Sequence, residues 1–224
     1  MRLDILSPAT KSAARVPYLP EASSMDIWPR AFAAAKRGTD LAFAITALPL
    51  IGLVAGGLLI LNPVFNPGPV FFIQERMGLG GRRFRVWKFR TMRRAPAGIR
   101  RFDSPVEADR ITALGAGLRR SRIDELPNFL NVLRGEMSLV GPRPDMFEHA
   151  ETYCRLVPRY AERLRVRPGI TGLAQVRGGY ADTLEAVRRK ARLDLVYVRM
   201  ASLRVDLAII RSTVWIMATG FGAK

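Results

Sequence analysis

Residues Leu41 to Leu61, LAFAITALPLIGLVAGGLLIL, form a run of 21 residues without a charged side chain. At about 1.5 Å per residue, a helix of that length just matches a hydrocarbon core of roughly 30 Å. Three placements are compatible with it: a membrane span, a re-entrant membrane helix, and a buried helix of a soluble core. Pro49 lies inside the run, where it removes a helical hydrogen bond and crowds the preceding turn. Charge adds a second constraint. After residue 61 come 30 Lys and Arg against 15 Asp and Glu, and Lys36 and Arg37 lie just before the run. A straight span would put basic residues on both sides of a bilayer, which the positive-inside tendency disfavours. The reading adopted is a helix that enters, bends at Pro49 and returns, with both ends in the cytoplasm; a full span stays open.

The net charge of the 224-residue chain is +17, with 49% hydrophobic residues. That combination predicts a packed core and an anionic partner: nucleic acid, an anionic membrane surface or a phosphorylated substrate. One cysteine, Cys154, and one histidine, His149, exclude an internal disulfide, a cysteine zinc site and His-rich metal sites. A Ser-His-Asp triad is improbable, so any chemistry rests on carboxylates, arginines, lysines and backbone amides. His149 and Cys154 themselves are read as structural.

Residues 1–35, with four prolines among small and polar residues, read as a poorly ordered tail, 36–66 as the membrane-inserted helix and 67–224 as a cytoplasmic domain that would carry any chemistry. VFFIQE and FRVWKFRTM read as two strands of a hairpin joined by the glycine-rich RMGLGGR, and 93–109 as a charged loop. RITALGAGLRR and PNFLNVLRGEM read as short helices, the second starting near Pro127 and ending at Gly135. MSLVGPRP reads as a turn, the segment around Pro158 as helical, and RPGITGLAQVRGGY as a loop. Two helices close the chain. In the last, Leu203, Leu207, Ile210, Val214 and Met217 recur at helical spacing, as a core stripe or a membrane-interface face.

The adjacent acids Asp124 and Glu125 in RRSRIDELPNF follow three arginines. Glycoside hydrolysis needs carboxylates on opposite sides of a bond, a poor fit for neighbours on one helix. Phosphoryl transfer to a carboxylate nucleophile needs an ionised acid, which nearby arginines favour, together with a hard cation and cationic side chains for a diphosphate. A surface salt-bridging pair is the plain alternative.

The motifs KRGTD, the apolar run, PGPVFFIQERMG, FRVWKFRTM, RITALGAGLRRSRIDELPNFLNVLRGEMSLVGPRP, RPGITGLAQV and LDLVYV occur in order across residues 36–213. Together they resemble the monotopic bacterial sugar transferases, the polyprenyl-phosphate phosphoglycosyl transferases. The resemblance implies an α+β, mostly helical enzyme with an N-terminal re-entrant membrane helix, a small β-hairpin and amphipathic interfacial helices. It would sit on the cytoplasmic face of a bacterial inner membrane. It would move a phospho-sugar from a UDP-sugar to a polyprenyl phosphate, releasing UMP, to start a lipid-linked exopolysaccharide or glycan. In such enzymes the first acid of the pair, here Asp124, attacks the β-phosphate and holds Mg²⁺, and Glu125 assists by activating the lipid phosphate or orienting the metal. The positions matching other functional residues are Lys88, Arg90 and Thr91 in KFRT, Arg119, the loop Pro142, Arg143 and Pro144, and Gln175. Expected partners are the two substrates and membrane lipids, with no nucleic acid and room for a homodimer.

Two departures accompany the match. Leu53 stands where the family commonly breaks its membrane helix with Ser-Pro, and Pro49 comes a turn earlier. Arg122 replaces a small hydroxyl residue before the acids. A nucleic-acid binder is the first rival, but an uncharged run of this length is foreign to that class. The second is a basic membrane-bound scaffold without catalysis.

Overall fold

The computed structural model describes residues 27–93, 108–178 and 183–219. Helix α1, Arg30–Phe65, runs for 36 residues through both Pro49 and Pro63, about 54 Å at the usual rise. Its start corrects the tail expected over 1–35. Trp28 is buried, donates its indole N–H to the Val198 carbonyl at 3.0 Å and packs edge-on against Phe32 and Tyr197. Residues 1–26 lie outside the described residues, as do 94–107 of the expected charged loop and residues 179 and 180 of the glycine-rich one.

One narrow stripe of α1 is buried: Lys36, Asp40, Ala44, Ile51, Leu58 and Asn62. Steps of four and seven keep these residues on one side of a helix. The KRGTD motif fastens the near end. Lys36 pairs with Asp206 at 2.6 Å, Arg37 donates to the Val132 and Leu133 carbonyls, and Asp40 accepts from the Leu139 amide at 3.0 Å. At the far end the Asn66 amide donates to the Arg90 carbonyl at 2.8 Å. Both ends of α1 are therefore tied to the same body. The opposite face carries Leu53, Leu59, Ile60 and Val64 at 66–78% exposure. An apolar strip of that size facing outward is a membrane or partner surface.

Lys36→Met leaves the buried Asp206 carboxylate without its cation. The expected loss is about 3 kcal/mol, read as a lower Tm in detergent and partly restored by adding Asp206→Asn.

Strands β1, Phe71–Met77, and β2, Arg83–Phe89, pair antiparallel with Phe71 opposite Phe89 and Met77 opposite Arg83, the predicted hairpin. Helices α2, Ala113–Arg120, and α3, Asn128–Leu133, follow, separated by a 3₁₀ turn at Ile123–Glu125. Asn131 of α3, fully buried, accepts from the Trp87 amide and donates to the Arg85 carbonyl, so it borders β2 much as a strand would. Ala44 of α1 packs with Phe84, Val86, Val132 and Met137; Ile51 and Leu58 pack with Phe89 and Leu118.

The segment expected as a turn contains β3, Ser138–Val140, and the segment expected as a loop contains β4, Gly169–Thr171, and α5, Leu173–Gly178. β3 and β4 pair in parallel, Ser138 opposite Gly169. A Cβ at Gly169 would lie 2.1 Å from the Gly141 nitrogen, so the crossing requires glycine. Helix α4, Phe147–Leu156, stops before Pro158, and Tyr160–Arg165 is 3₁₀. Helices α6, Leu184–Met200, and α7, Leu203–Thr219, end the described chain. α7 turns Asp206 and Ile209 inward, while Leu203, Leu207, Val214, Trp215 and Met217 of its apolar side are 44–67% exposed. Ile210 of the same stripe is partly buried against the core with Tyr197 and Ile209, so the stripe is an exposed face over most of its length, not a core stripe.

Candidate active site

The acids sit on the turn Ile123–Glu125, between α2 and α3 and against α1. Ile123 and Leu126 pack with Ile51, Leu58 and Phe89, which seats the turn on the apolar helix. Arg122, immediately before, holds a left-handed backbone with φ 58°, a conformation that bulky residues adopt at some strain.

The two carboxylates have opposite surroundings. Glu125 accepts from Lys88 Nζ at 2.9 Å and from both terminal nitrogens of Arg143, at 3.1 and 2.5 Å. Burial alone would raise its pKa, but the Arg143 and Lys88 charges and their hydrogen bonds hold it well below the usual carboxylate range. Asp124 is 8% exposed and, among the described residues, makes no side-chain hydrogen bond or ion pair. Burial, and then the neighbouring Glu125 charge, raise its pKa, and Lys88, Arg119 and Arg143 pull it back only in part. The strongest cationic contacts thus go to Glu125, and they come from Lys88 and Arg143 rather than from the arginines just before the acids.

The cations come from three elements. Lys88 lies in β2, where burial lowers its pKa and Glu125 opposes that shift. Arg119, in the last turn of α2, donates its Nε to Thr91 Oγ1 at 2.8 Å. Thr91 is there because α2 presses onto it: a Cβ at Gly115, one turn before Arg119, would fall 2.0 Å from the Thr91 carbonyl oxygen. The terminal nitrogens of Arg119 have no protein partner among the described residues. Arg143 reaches Glu125 from the loop after β3.

That loop is held by its main chain. The Pro142 carbonyl accepts from the Gly169 amide, Arg143 from Arg163, Pro144 from Arg76 and Asp145 from the Met77 amide, at 2.5–3.2 Å. Four consecutive carbonyls, each bonded to a different residue, leave little freedom for the Arg143 side chain to drift. Beneath it, buried Arg163 pairs with Asp194 at 2.7 Å and Asp145 at 2.8 Å, and Asp145 also pairs with Lys190 at 2.5 Å and Tyr160 at 2.5 Å. Burial would raise the Asp145 pKa, but Lys190 and Arg163 overturn it and hold the carboxyl below its usual range. Burial and the nearby Arg143 lower the Arg76 pKa to about 10, which places Arg76 at the edge of the cationic cluster.

Lys88, Arg119, Thr91 and Arg143 thus gather around the acids, with Pro142 and Pro144 framing Arg143. Arg90 does not join them. Its guanidinium donates to the Asn66, Pro67 and Pro69 carbonyls and fastens the turn after α1. Gln175 lies in α5 and donates to the Ile170 carbonyl at 3.1 Å, with no bond to the acids. Cys154 packs beside the α4–α6 core, where burial raises its thiol to about 11. Arg76 and the Arg163 network were not singled out from sequence; the arginine of QERMG, adjacent to a strand end, was the only available signal.

No group of three His, Cys, Asp or Glu side chains that could hold a metal occurs among the described residues. A divalent ion here would have one uncommitted protein carboxylate, Asp124, and would take its other oxygens from phosphate and water. That donor set suits Mg²⁺, which commonly binds through one or two carboxylates plus substrate phosphates.

Among curated proteins, the chain is similar to a UDP-N-acetylgalactosamine-undecaprenyl-phosphate N-acetylgalactosaminephosphotransferase of Aeromonas hydrophila, 41% identical over 86% of this chain and 46% of the relative. It is 44% identical to a UDP-glucose:undecaprenyl-phosphate glucose-1-phosphate transferase of Caulobacter vibrioides, over 80% of this chain and 68% of the relative. It is 40% identical to the exopolysaccharide production protein PSS of Rhizobium leguminosarum bv. phaseoli, over 80% of this chain and 92% of the relative. The chain spans less than half the length of the Aeromonas protein and of the Escherichia coli glucose-1-phosphate transferase, at 46% and 39%. A comparison with protein families matches residues 31–220 to "Bacterial sugar transferase". With a match over most of its length, the chain belongs to the bacterial sugar transferase family.

Proposed function

We propose that the chain transfers a sugar 1-phosphate from a UDP-sugar to a polyprenyl phosphate through a covalent intermediate on Asp124. The observation that carries this reading is a buried carboxylate without a hydrogen-bond partner among the described residues, set in a cluster of cations on an apolar helix. A carboxylate already bound to arginine is a poor nucleophile, because its lone pairs are engaged; Asp124 keeps its own. An oxygen of Asp124 attacks the β-phosphorus of the donor. The bond from that phosphorus to the bridging oxygen breaks, and UMP departs with the electron pair. A phosphate oxygen of the lipid then attacks the same phosphorus, the acyl phosphate bond breaks, and Asp124 is regenerated as carboxylate. Splitting the transfer suits a site that meets a soluble donor and a membrane-held acceptor in turn.

Arg119 offers its terminal nitrogens to the diphosphate, with Thr91 fixing its orientation. Glu125, expected to activate the lipid or orient a metal, also ties Lys88 and Arg143 into one unit beside the reacting phosphate. Mg²⁺, held by Asp124 and phosphate oxygens, would supply charge neutralisation at the diphosphate. The relatives named for UDP-glucose and UDP-N-acetylgalactosamine support a UDP-hexose donor. α1 supports the membrane seat, because both its ends meet one body and its outer face is apolar. A re-entrant placement on the cytoplasmic face of a bacterial inner membrane reconciles these features.

The test uses detergent-extracted protein with polyprenyl phosphate, Mg²⁺ and a panel of UDP-sugars, with UMP as the readout. Release from one or more donors is expected, and no release from any donor overturns the transferase reading.

A further inference from the structure

A groove of about 150 Å³ opens away from the acids, lined by Trp28, Glu162, Arg165, Leu195, Val198 and Arg199. At ~30 Å³ per liquid water, that is room for a phosphate and part of a substituent. Its polar groups are unevenly satisfied. Glu162 gives both oxygens to Arg159, at 2.5 and 2.9 Å, and the Trp28 N–H is held by the Val198 carbonyl. The Arg165 Nε is buried without a partner, and Arg199 makes no side-chain hydrogen bond or ion pair among the described residues. Arg165 and Arg199 line the same groove as Glu162, and their charges help to lower its pKa. Three arginines around a single, already paired carboxylate leave the groove positively charged, and an unpartnered buried N–H costs stability until an acceptor arrives.

The rim indicates where that acceptor comes from. Val196, Met200 and Leu203, beside Arg199 at the α6–α7 corner, are 43%, 61% and 44% exposed. Trp28 lies two residues before α1, whose outer face is apolar. We propose that this groove binds the phosphate of an anionic phospholipid headgroup, with Arg165 and Arg199 on its oxygens and the apolar rim against its chains. The lipid would lock the foot of α1 to α6. This inference rests on the membrane seat proposed above and is independent of the chemistry at Asp124.

The experiment is a thermal-unfolding titration of full-length protein in neutral detergent with phosphatidylglycerol, phosphatidylcholine or inorganic phosphate. A saturable rise in Tm with phosphatidylglycerol alone is expected. Its half-saturation should weaken about tenfold in Arg165→Gln/Arg199→Gln, roughly the loss of one charge-assisted bond. Arg199→Gln alone, at an exposed position, should weaken it in the same direction. Arg188→Gln/Arg192→Gln, which removes equal charge elsewhere on α6, should leave it unchanged. An equal rise with inorganic phosphate, no rise, or equal weakening in the α6 control overturns the assignment. Loss of the protein from washed membranes would instead defeat the membrane seat, and UMP release by Arg199→Gln in neutral detergent, expected unchanged, keeps the transferase reading separate.

Discussion

Asp124→Asn is expected to lower UMP release by at least about 10⁴-fold, the scale seen when a nucleophile is removed from a working catalytic unit. The same change is expected to leave the fold intact and slightly more stable. Ionised Asp124 is buried beside Glu125 without a hydrogen bond, an arrangement that costs free energy and that asparagine relieves. Roughly 1 kcal/mol corresponds to about 2–4 °C in Tm for a chain of this size. The sign of the pH dependence follows from the raised pKa. Below the unfolded-state value both states are protonated and wild type carries no penalty; as pH rises through the raised folded value the full penalty develops. Without donor or divalent ion, the Tm gap between variant and wild type should therefore open as pH rises from about 4 and stay open at neutrality. A loss of activity accompanied by unfolding would contradict this account.

Glu125→Gln should be damaging for the opposite reason. It removes the anion on which Lys88 and Arg143 converge and leaves two partly buried cations without compensation. Breaking such a group from one side costs about 3 kcal/mol, or roughly 6–12 °C in Tm. The Glu125 pKa is depressed, so its contribution is fully present above the unfolded value near pH 4 and fades only as pH falls through the folded one. Wild type and variant should hence converge in stability only in strong acid. Activity should fall by about 10²-fold as the cations lose their placement. The pair is thereby asymmetric: the first acid is expendable for folding and needed for turnover, while the second matters for both.

The apolar run, the hairpin and the gathering of Lys88 and Thr91, the acids and the PRP loop were all legible, since each depends on local pattern or ordered motifs. The division of labour between the acids was not, because neighbouring residues on a 3₁₀ turn point to different places and only tertiary contacts decide which meets Arg143. Arg90 entered from its place in the KFRT motif, and a motif match does not tell whether a side chain meets substrate or, as here, three carbonyls of a turn. β3 and β4 escaped notice because strands of three residues, crossing at Gly141 and Gly169, carry no periodicity. The network of Asp145, Tyr160, Arg163, Lys190 and Asp194 draws on a loop, a 3₁₀ turn and a helix spread over 50 residues, so no single window of sequence contains it. The apolar side of α7 shows the limit of pattern alone. Its spacing marks a face, and what covers that face depends on the body beneath.

Incubating the protein with a UDP-sugar in the absence of polyprenyl phosphate, followed by intact-mass measurement and peptide mapping, tests the central claim most directly. A mass increase equal to one sugar phosphate, located on Asp124 and discharged when polyprenyl phosphate is added, is the predicted result. Turnover with no adduct at any time, surviving in Asp124→Asn, would contradict it.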